Sequence, residues 1–365
     1  MLLHRVSFFR LRLLPSRMKI FLSDCHYEIT IPNPAKPIRA VWVIFDRGRD
    51  MLRYYGDPEI QAFAYRKDLG LLFPFHCRAK AYEDMDVDPS KGIGRALFTA
   101  LSRLAQPSGH QELASAKLIL LGFSGPGSLV ARLTTYAPDR VMAAILADPG
   151  HFDPLGMDTV KLSSEALAVP QLIFTGSTDT HSGTKRPYEY FRKYFDQGAP
   201  WAFVIQNKTP HCCIINAKKL ILLWTEAILE ERPSFNGTLR RVDARKGWST
   251  FMATRETETK DTWGEKTSEL TDAKIQRGGK RPPEGMIPAG WLPNRRVAAL
   301  TIEALPARVT APVTMMPPAA SEMLWAWTGV TNSNQLNSPD SSPAASVFPN
   351  FLFLTISASR FFLND

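Results

Sequence analysis

The chain of 365 residues is poor in several things that would otherwise direct its reading. It has no apolar run of about 18 residues, the length a helix needs to cross a bilayer, so no membrane span is expected. Its four cysteines, Cys25, Cys77, Cys212 and Cys213, cannot replace a core in a chain this long. Three of them adjoin a histidine, as Cys25-His26, His76-Cys77 and His211-Cys212. Adjacent residues of extended chain point to opposite faces, whereas metal ligands are spaced so that side chains converge. No metal site is expected, and a Cys77–Cys212 or Cys77–Cys213 bridge is left open. The net charge of +9 would suit an anionic partner, yet the basic residues are scattered with no cluster of five or more. No nucleic-acid-binding module accompanies them, so nucleic acid is not an expected partner. No G-x-G-x-x-G stands early in the chain, which removes the dinucleotide fingerprint. Acid is missing from the first 23 residues, which read as a basic segment, targeting or disordered. The chain is therefore cytoplasmic on one reading and exported or organellar on the other.

What is present is the material of a large core. Hydrophobic residues make up 44% and charged ones 22%, as in soluble globular domains. Near-continuous apolar runs recur at 40–46, 69–75, 117–123, 143–148, 171–176 and 201–206. Such runs suit parallel strands buried on both faces. Helical patterns lie between them at 58–66, 91–105, 127–136, 187–197 and 215–231; the last carries Leu220, Leu223, Trp224, Ala227 and Ile228 on one face. Residues 26–39 read as an opening antiparallel hairpin. Repeated strand–helix–strand units imply right-handed crossovers and a mostly parallel α/β sheet with helices on both faces.

The composition divides the chain into four parts: a basic segment at 1–25, the α/β domain at 26–231, an extension at 232–310 and a tail at 311–365. The extension is rich in Arg, Lys, Thr, Gly and Pro, with isolated tryptophans at 248, 263 and 291. It reads as a wrap held on the domain by Trp248 and Trp291. The Pro- and Ser-rich tail lacks the composition of a packed core.

One corner carries the chemistry. In KLILLGFSGPGSLVAR, residues 117–132, a strand runs into Ser124 and a helix begins at once. A nucleophile on such a turn stands clear of both elements at the cost of backbone strain. The residues two before and two after must be small; Gly122 meets this, and Pro126 departs from G-x-S-x-G. Proline suits the first helical turn, where a missing N–H costs nothing. Gly125, directly after the serine, keeps its N–H for a developing oxyanion. A glycine-rich turn with an incidental or phosphate-cradling serine is the plainer alternative.

Two more side chains follow in the order such a site needs. The run 171–176 leads into GSTDTHSG, putting Asp179 just past a strand end, and the run 201–206 leads into NKTPHCC, putting His211 in the next such loop. Ligands of open α/β sheets sit outside these carboxyl ends. Asp148, after the run 143–148, is the alternative acid; His181 and His151 are the competing bases. Asp153, Asp158 and the RPYEYF helix start are candidates to line a pocket.

On these residues the chain resembles the α/β-hydrolase-fold serine hydrolases of esterase and lipase type, over about residues 26–231. The resemblance implies an eight-stranded sheet, no cofactor and an acyl-enzyme mechanism on a small-molecule ester. It assigns Ser124 as nucleophile, Asp179 as acid, His211 as base and Gly125 as one oxyanion donor. A second donor is implied from Arg47 or Gly48 in VIFDRGRD, where Asp46 replaces the family's usual histidine. A non-catalytic binding protein on the same fold is the rival reading.

Overall fold

The computed structural model describes residues 16–22, 25–45, 49–75, 77, 88–150, 162–212, 214–235, 237–278 and 281–298. The calls on Asp46, Arg47, Gly48, His76, His151, Asp153, Asp158, Cys213 and the tail lie outside the described residues.

The chain opens with β1 (Ser16–Leu22) and β2 (Cys25–Ile31), followed by β3 (Ala40–Ile44), α1 (Arg49–Gly56), α2 (Pro58–Lys67) and β4 (Leu69–Phe75). Next come α3 (Ile93–Ser108), β5 (Leu118–Phe123), α4 (Gly125–Tyr136), β6 (Val141–Ala147), the short α5 (Ser164–Leu167) and β7 (Gln171–Gly176). They are followed by α6 (Lys185–Phe195), β8 (Trp201–Gln206) and α7 (Lys218–Glu231). The chain continues through a two-stranded ribbon, β9 (Ser234–Phe235) and β10 (Thr238–Leu239), then β11 (Trp248–Lys260), β12 (Lys266–Arg277) and β13 (Ile287–Leu292).

The large sheet has the order β1-β2-β4-β3-β5-β6-β7-β8-β13-β11-β12. Neighbours from β4 through β8 pair in parallel, while β2 joins β4 antiparallel. Alternation along each strand builds two cores, one on each face. Val41, Val43, Leu118 and Leu120 point to the side covered by Leu101 of α3, Leu133 of α4 and Phe191 of α6. Trp42, Ile44, Ile119 and Leu121 point to the side covered by Tyr54 of α1, Phe63 of α2 and Trp224 of α7. Each large side chain so enclosed contributes about 1.5–3 kcal/mol.

Three expectations change. The opening hairpin is not at 26–39: Ser16–Leu22 pairs with Cys25–Ile31, so part of the basic segment is the sheet's first strand. Alternation of Met18 and Ile20 with Arg17 and Lys19, continued by the apolar Phe21 and Leu22, suits that strand despite the basic surroundings. The sheet also runs past eight strands, because β13 pairs with β8 and β11 and β12 follow it. The extension is thus strand-forming: its polar, threonine-rich alternation suits a half-exposed antiparallel ribbon. Trp291 and Leu292 of β13 are buried in the second core, and Trp248 packs against it. Helix α7, expected to bury one face, is enclosed on nearly all sides, with Leu222, Thr225 and Leu229 also buried.

Candidate active site

The elbow at Ser124 is built locally. β5 ends at Phe123 and α4 begins at Gly125, leaving Ser124 at φ 60°, ψ −128°, a left-handed conformation unusual for a side-chain-bearing residue. Such a conformation costs on the order of 1–3 kcal/mol and persists only where surroundings enforce it. Enforcement comes from the serine's own peptide groups: its N–H donates to Ala147 O, and its carbonyl accepts from Gly127 and Gly150 N–H at 2.8 and 3.0 Å. Gly122 is needed because a Cβ there would collide with the carbonyl of Pro126. Proline at 126 is tolerated because it is that residue's backbone, not its ring, that approaches the strand.

The other two residues arrive from neighbouring strands. Asp179 sits in the loop after β7 and is fully buried. His211 follows β8, and its side chain is 14% exposed. The imidazole joins the three: Nε2 lies 2.9 Å from Ser124 Oγ, and Nδ1 lies 2.8 Å from Asp179 Oδ2. The carboxylate's other oxygen accepts from His181 N–H at 2.7 Å and Ser182 N–H at 3.0 Å. Three donors thus hold the Asp179 carboxylate in place. The His211 ring is flanked by Phe123, at 5.0 Å between centroids, and by His181, stacked at 4.8 Å.

Gly125 is the first residue of α4, so its N–H is among the donors that no helical carbonyl reaches. It therefore remains available beside Ser124 Oγ. A partial positive charge collects at this helix end.

A serine on a strand-to-helix corner, with an acid and a histidine from later strand ends in that chain order, has one architectural home. The fold is that of the α/β hydrolases. No family model matches the chain, and no curated protein matches it either. Solved structures with a similar fold include a predicted CIB-like hydrolase from Thermoplasma acidophilum, 14% identical over 59% of this chain and 98% of that one, with a TM-score of 0.39. S-formylglutathione hydrolase from Staphylococcus aureus is 13% identical over 57% of this chain and 95% of that one, with a TM-score of 0.42. MGS-M1, an α/β hydrolase enzyme from a Medee basin deep-sea metagenome library, is 14% identical over 59% and 98%, with a TM-score of 0.44.

Asp148, the alternative acid, is brought close but not to the histidine. Its Oδ1 accepts the Gly176 N–H at 2.9 Å, and its main-chain carbonyl accepts the Ser182 hydroxyl at 3.0 Å. Burial, reinforced by the negative charge of Asp179, holds its pKa well above the usual carboxylate range. The shift favours its neutral form, and its hydrogen bond to Gly176 makes Asp148 a strut between β6 and β7. His181, a competing base, has its ring against His211 rather than Ser124.

Asp179, His181 and His211 also offer ligand atoms within 4.8 Å of one another. Zinc bonds of 2.0–2.1 Å in a tetrahedron put ligands about 3.4 Å apart, so this is an open grouping. Cys77 and Cys212 are each disulfide-bonded. Among the described residues no helix is long and apolar enough to cross a membrane. Asn207, a glycosylation sequon, donates its amide to Leu270 O at 2.7 Å, so the nitrogen that would carry a glycan is engaged.

Sequence reasoning missed Ser182 and the bracing of both loops by the extension. Ser182 stands three residues after Asp179 as in an Asx turn, a local signal that was readable. The extension's part had no local signal, because its contacts cross 60 to 90 residues.

Proposed function

We propose that the protein is a serine hydrolase that cleaves a carboxylic ester through an acyl-enzyme. The observation carrying this reading is the hydrogen-bonded line from Ser124 Oγ through His211 to Asp179, at 2.9 and 2.8 Å, on a strained elbow. A serine hydroxyl is a weak nucleophile until a base takes its proton, and His211 Nε2 is within reach of it. Ser124 Oγ attacks the ester carbonyl carbon as its proton passes to Nε2, giving a tetrahedral oxyanion. Asp179 keeps the imidazole in the tautomer that accepts at Nε2 and stabilises the imidazolium that forms. Gly125 N–H and a second donor from Arg47 or Gly48 receive the oxyanion; one such donor is worth roughly 3–4 kcal/mol of barrier. The intermediate collapses by breaking the bond to the alkoxy oxygen, which takes the proton from His211. Water then gives a proton to His211 and attacks the acyl carbon; the Oγ–carbon bond breaks and the proton returns to Ser124. The substrate is a small-molecule ester, and no cofactor is required by these steps.

A fluorophosphonate probe and p-nitrophenyl acetate test the reading together. Wild-type protein should be labelled and should turn over the ester, while Ser124→Ala should do neither. Folded wild-type protein that resists labelling would place the chain among non-catalytic binding proteins.

A further inference from the structure

The outer edge of the eleven-stranded sheet does not face empty solvent where it passes the site. In an antiparallel edge strand, alternate residues present N–H and C=O outward with no strand to receive them. Along β12 these groups belong to Ser268 and Leu270, and the two loops of the site receive them. Ser268 N–H donates to Thr184 Oγ at 2.8 Å, and Thr184 is the last residue of the acid loop. Leu270 N–H donates to Asn207 Oδ1 at 2.8 Å, and Leu270 O accepts the Asn207 amide at 2.7 Å. Asn207 is the first residue of the histidine loop.

Directly before these two clamps stands Thr267, fully buried, whose hydroxyl donates to Ser177 O at 2.6 Å. Its single proton is spent there, so Thr257 of β11 is the donor in the 2.6 Å contact between the two threonines. Ser177 in turn ties the loops to one another: its hydroxyl accepts Lys208 N–H at 2.8 Å, and the adjacent Thr178 N–H donates to Thr209 O at 3.0 Å. At the hairpin's tip, Thr262 donates to the His181 carbonyl at 2.9 Å, beside the peptide that holds Asp179.

We infer that the β11–β12 hairpin sets the relative position of Asp179 and His211, with Asn207 and Thr267 as positioning residues; this rests on the serine-hydrolase reading above. The chain of contacts runs from Thr257 through Thr267 and Ser177 to Lys208, three residues before the histidine. A single edge strand thus grips the far end of the acid loop and the near end of the histidine loop. Loosening either grip displaces one member of a two-bond relay, and a misplacement of about 1 Å costs on the order of 10²-fold in rate. Ground-state binding of an ester depends on other surfaces, so the loss falls on kcat.

The test compares wild type with Thr267→Val, Asn207→Leu, Thr267→Ser and Thr262→Val in the full chain. Active-site titration with the fluorophosphonate counts competent sites, and p-nitrophenyl acetate gives kcat and KM. The inference expects kcat per folded molecule to fall about 10- to 100-fold in Thr267→Val and Asn207→Leu. KM should stay within about threefold, and Thr267→Ser, which restores the hydroxyl, should recover most of the rate. Thr262→Val changes an exposed contact and keeps the fold; it should lose several-fold in kcat, which preserves the test if the buried variants do not fold. Wild-type kcat in the folded variants, or a fall shared equally by kcat and KM, would overturn the inference while leaving the hydrolase reading in place. An unlabelled, inactive wild type overturns both.

Discussion

The Ser124 corner and the paired loops facing it are held by different means. Ser124 is fixed within its neighbourhood: Gly127, Ala147 and Gly150 take its backbone hydrogen bonds, and Gly122 leaves room for the Pro126 carbonyl. The loops that carry Asp179 and His211 are tied down through Thr184, Asn207 and Thr267, and all three meet backbone 63 to 90 residues away. The close approach between the two loops is still local, since a Cβ on Gly176 would run into the Thr209 carbonyl. A strained turn needs steric enforcement, which short-range packing supplies. A proton relay needs two loops in register, and a third element spanning both adds to the contacts they make with one another.

The largest effect should come from breaking the relay. Asp179→Asn should lower kcat by about 10⁴-fold with little change in melting temperature, because the amide favours the wrong imidazole tautomer. Next comes the corner itself: Gly122→Ala forces a Cβ into the Pro126 carbonyl. Thermal or urea melts should show a loss of about 3 kcal/mol or more, with activity lost alongside.

Asp148→Asn sharpens the contrast between the two acids. Activity should stay within about threefold of wild type, far from the loss at Asp179. Its effect on stability has a definite sign. Burial raises the carboxyl's pKa in the folded protein, so the folded state binds its proton more tightly than the unfolded chain does. Stability from this group is complete below the ordinary carboxylate pKa and is lost as pH rises toward the folded value. The asparagine variant has no such loss. Its melting temperature should exceed that of wild type at pH 7, and the gap should close toward pH 3, as calorimetry would reveal.

The smallest effect belongs to the exposed part of the same hairpin. Arg255 and Glu269 pair across β11 and β12 in solvent. Glu269→Gln should change stability by less than about 1 kcal/mol and leave kcat unaltered. A large kcat effect there would mean that the hairpin acts through its charges rather than through Asn207 and Thr267.

Much of this arrangement was legible along the chain. The strands at 171–176 and 201–206 match β7 and β8 to the residue, because both are buried on two faces and read as unbroken apolar runs. Asp179 and His211 were placed by following those strands to their ends. Strand β1 was hidden by the basic residues around it. Strands β11 and β12 were hidden because RETETK and KTSELTDAK carry charge on the wetted face; the threonines at 250, 254, 257, 259, 267 and 271 and the turn at Gly264 were among their few marks. Gly127 and Gly150 showed no sign of holding the serine's carbonyl.

By itself the sequence determined the alternating strand–helix order, the sharp turn at Ser124 and the strand ends from which Asp179 and His211 project, since propensity, periodicity and small-residue sterics act over a few neighbouring positions. Only the tertiary structure decided which buried carboxyl meets the imidazole, that Asp148 stands aside as a strut between two strand ends, and that a distant hairpin grips both loops. Those outcomes depend on burial and on hydrogen bonds between residues far apart in the chain, and such pairings exist only once the sheet has closed around them.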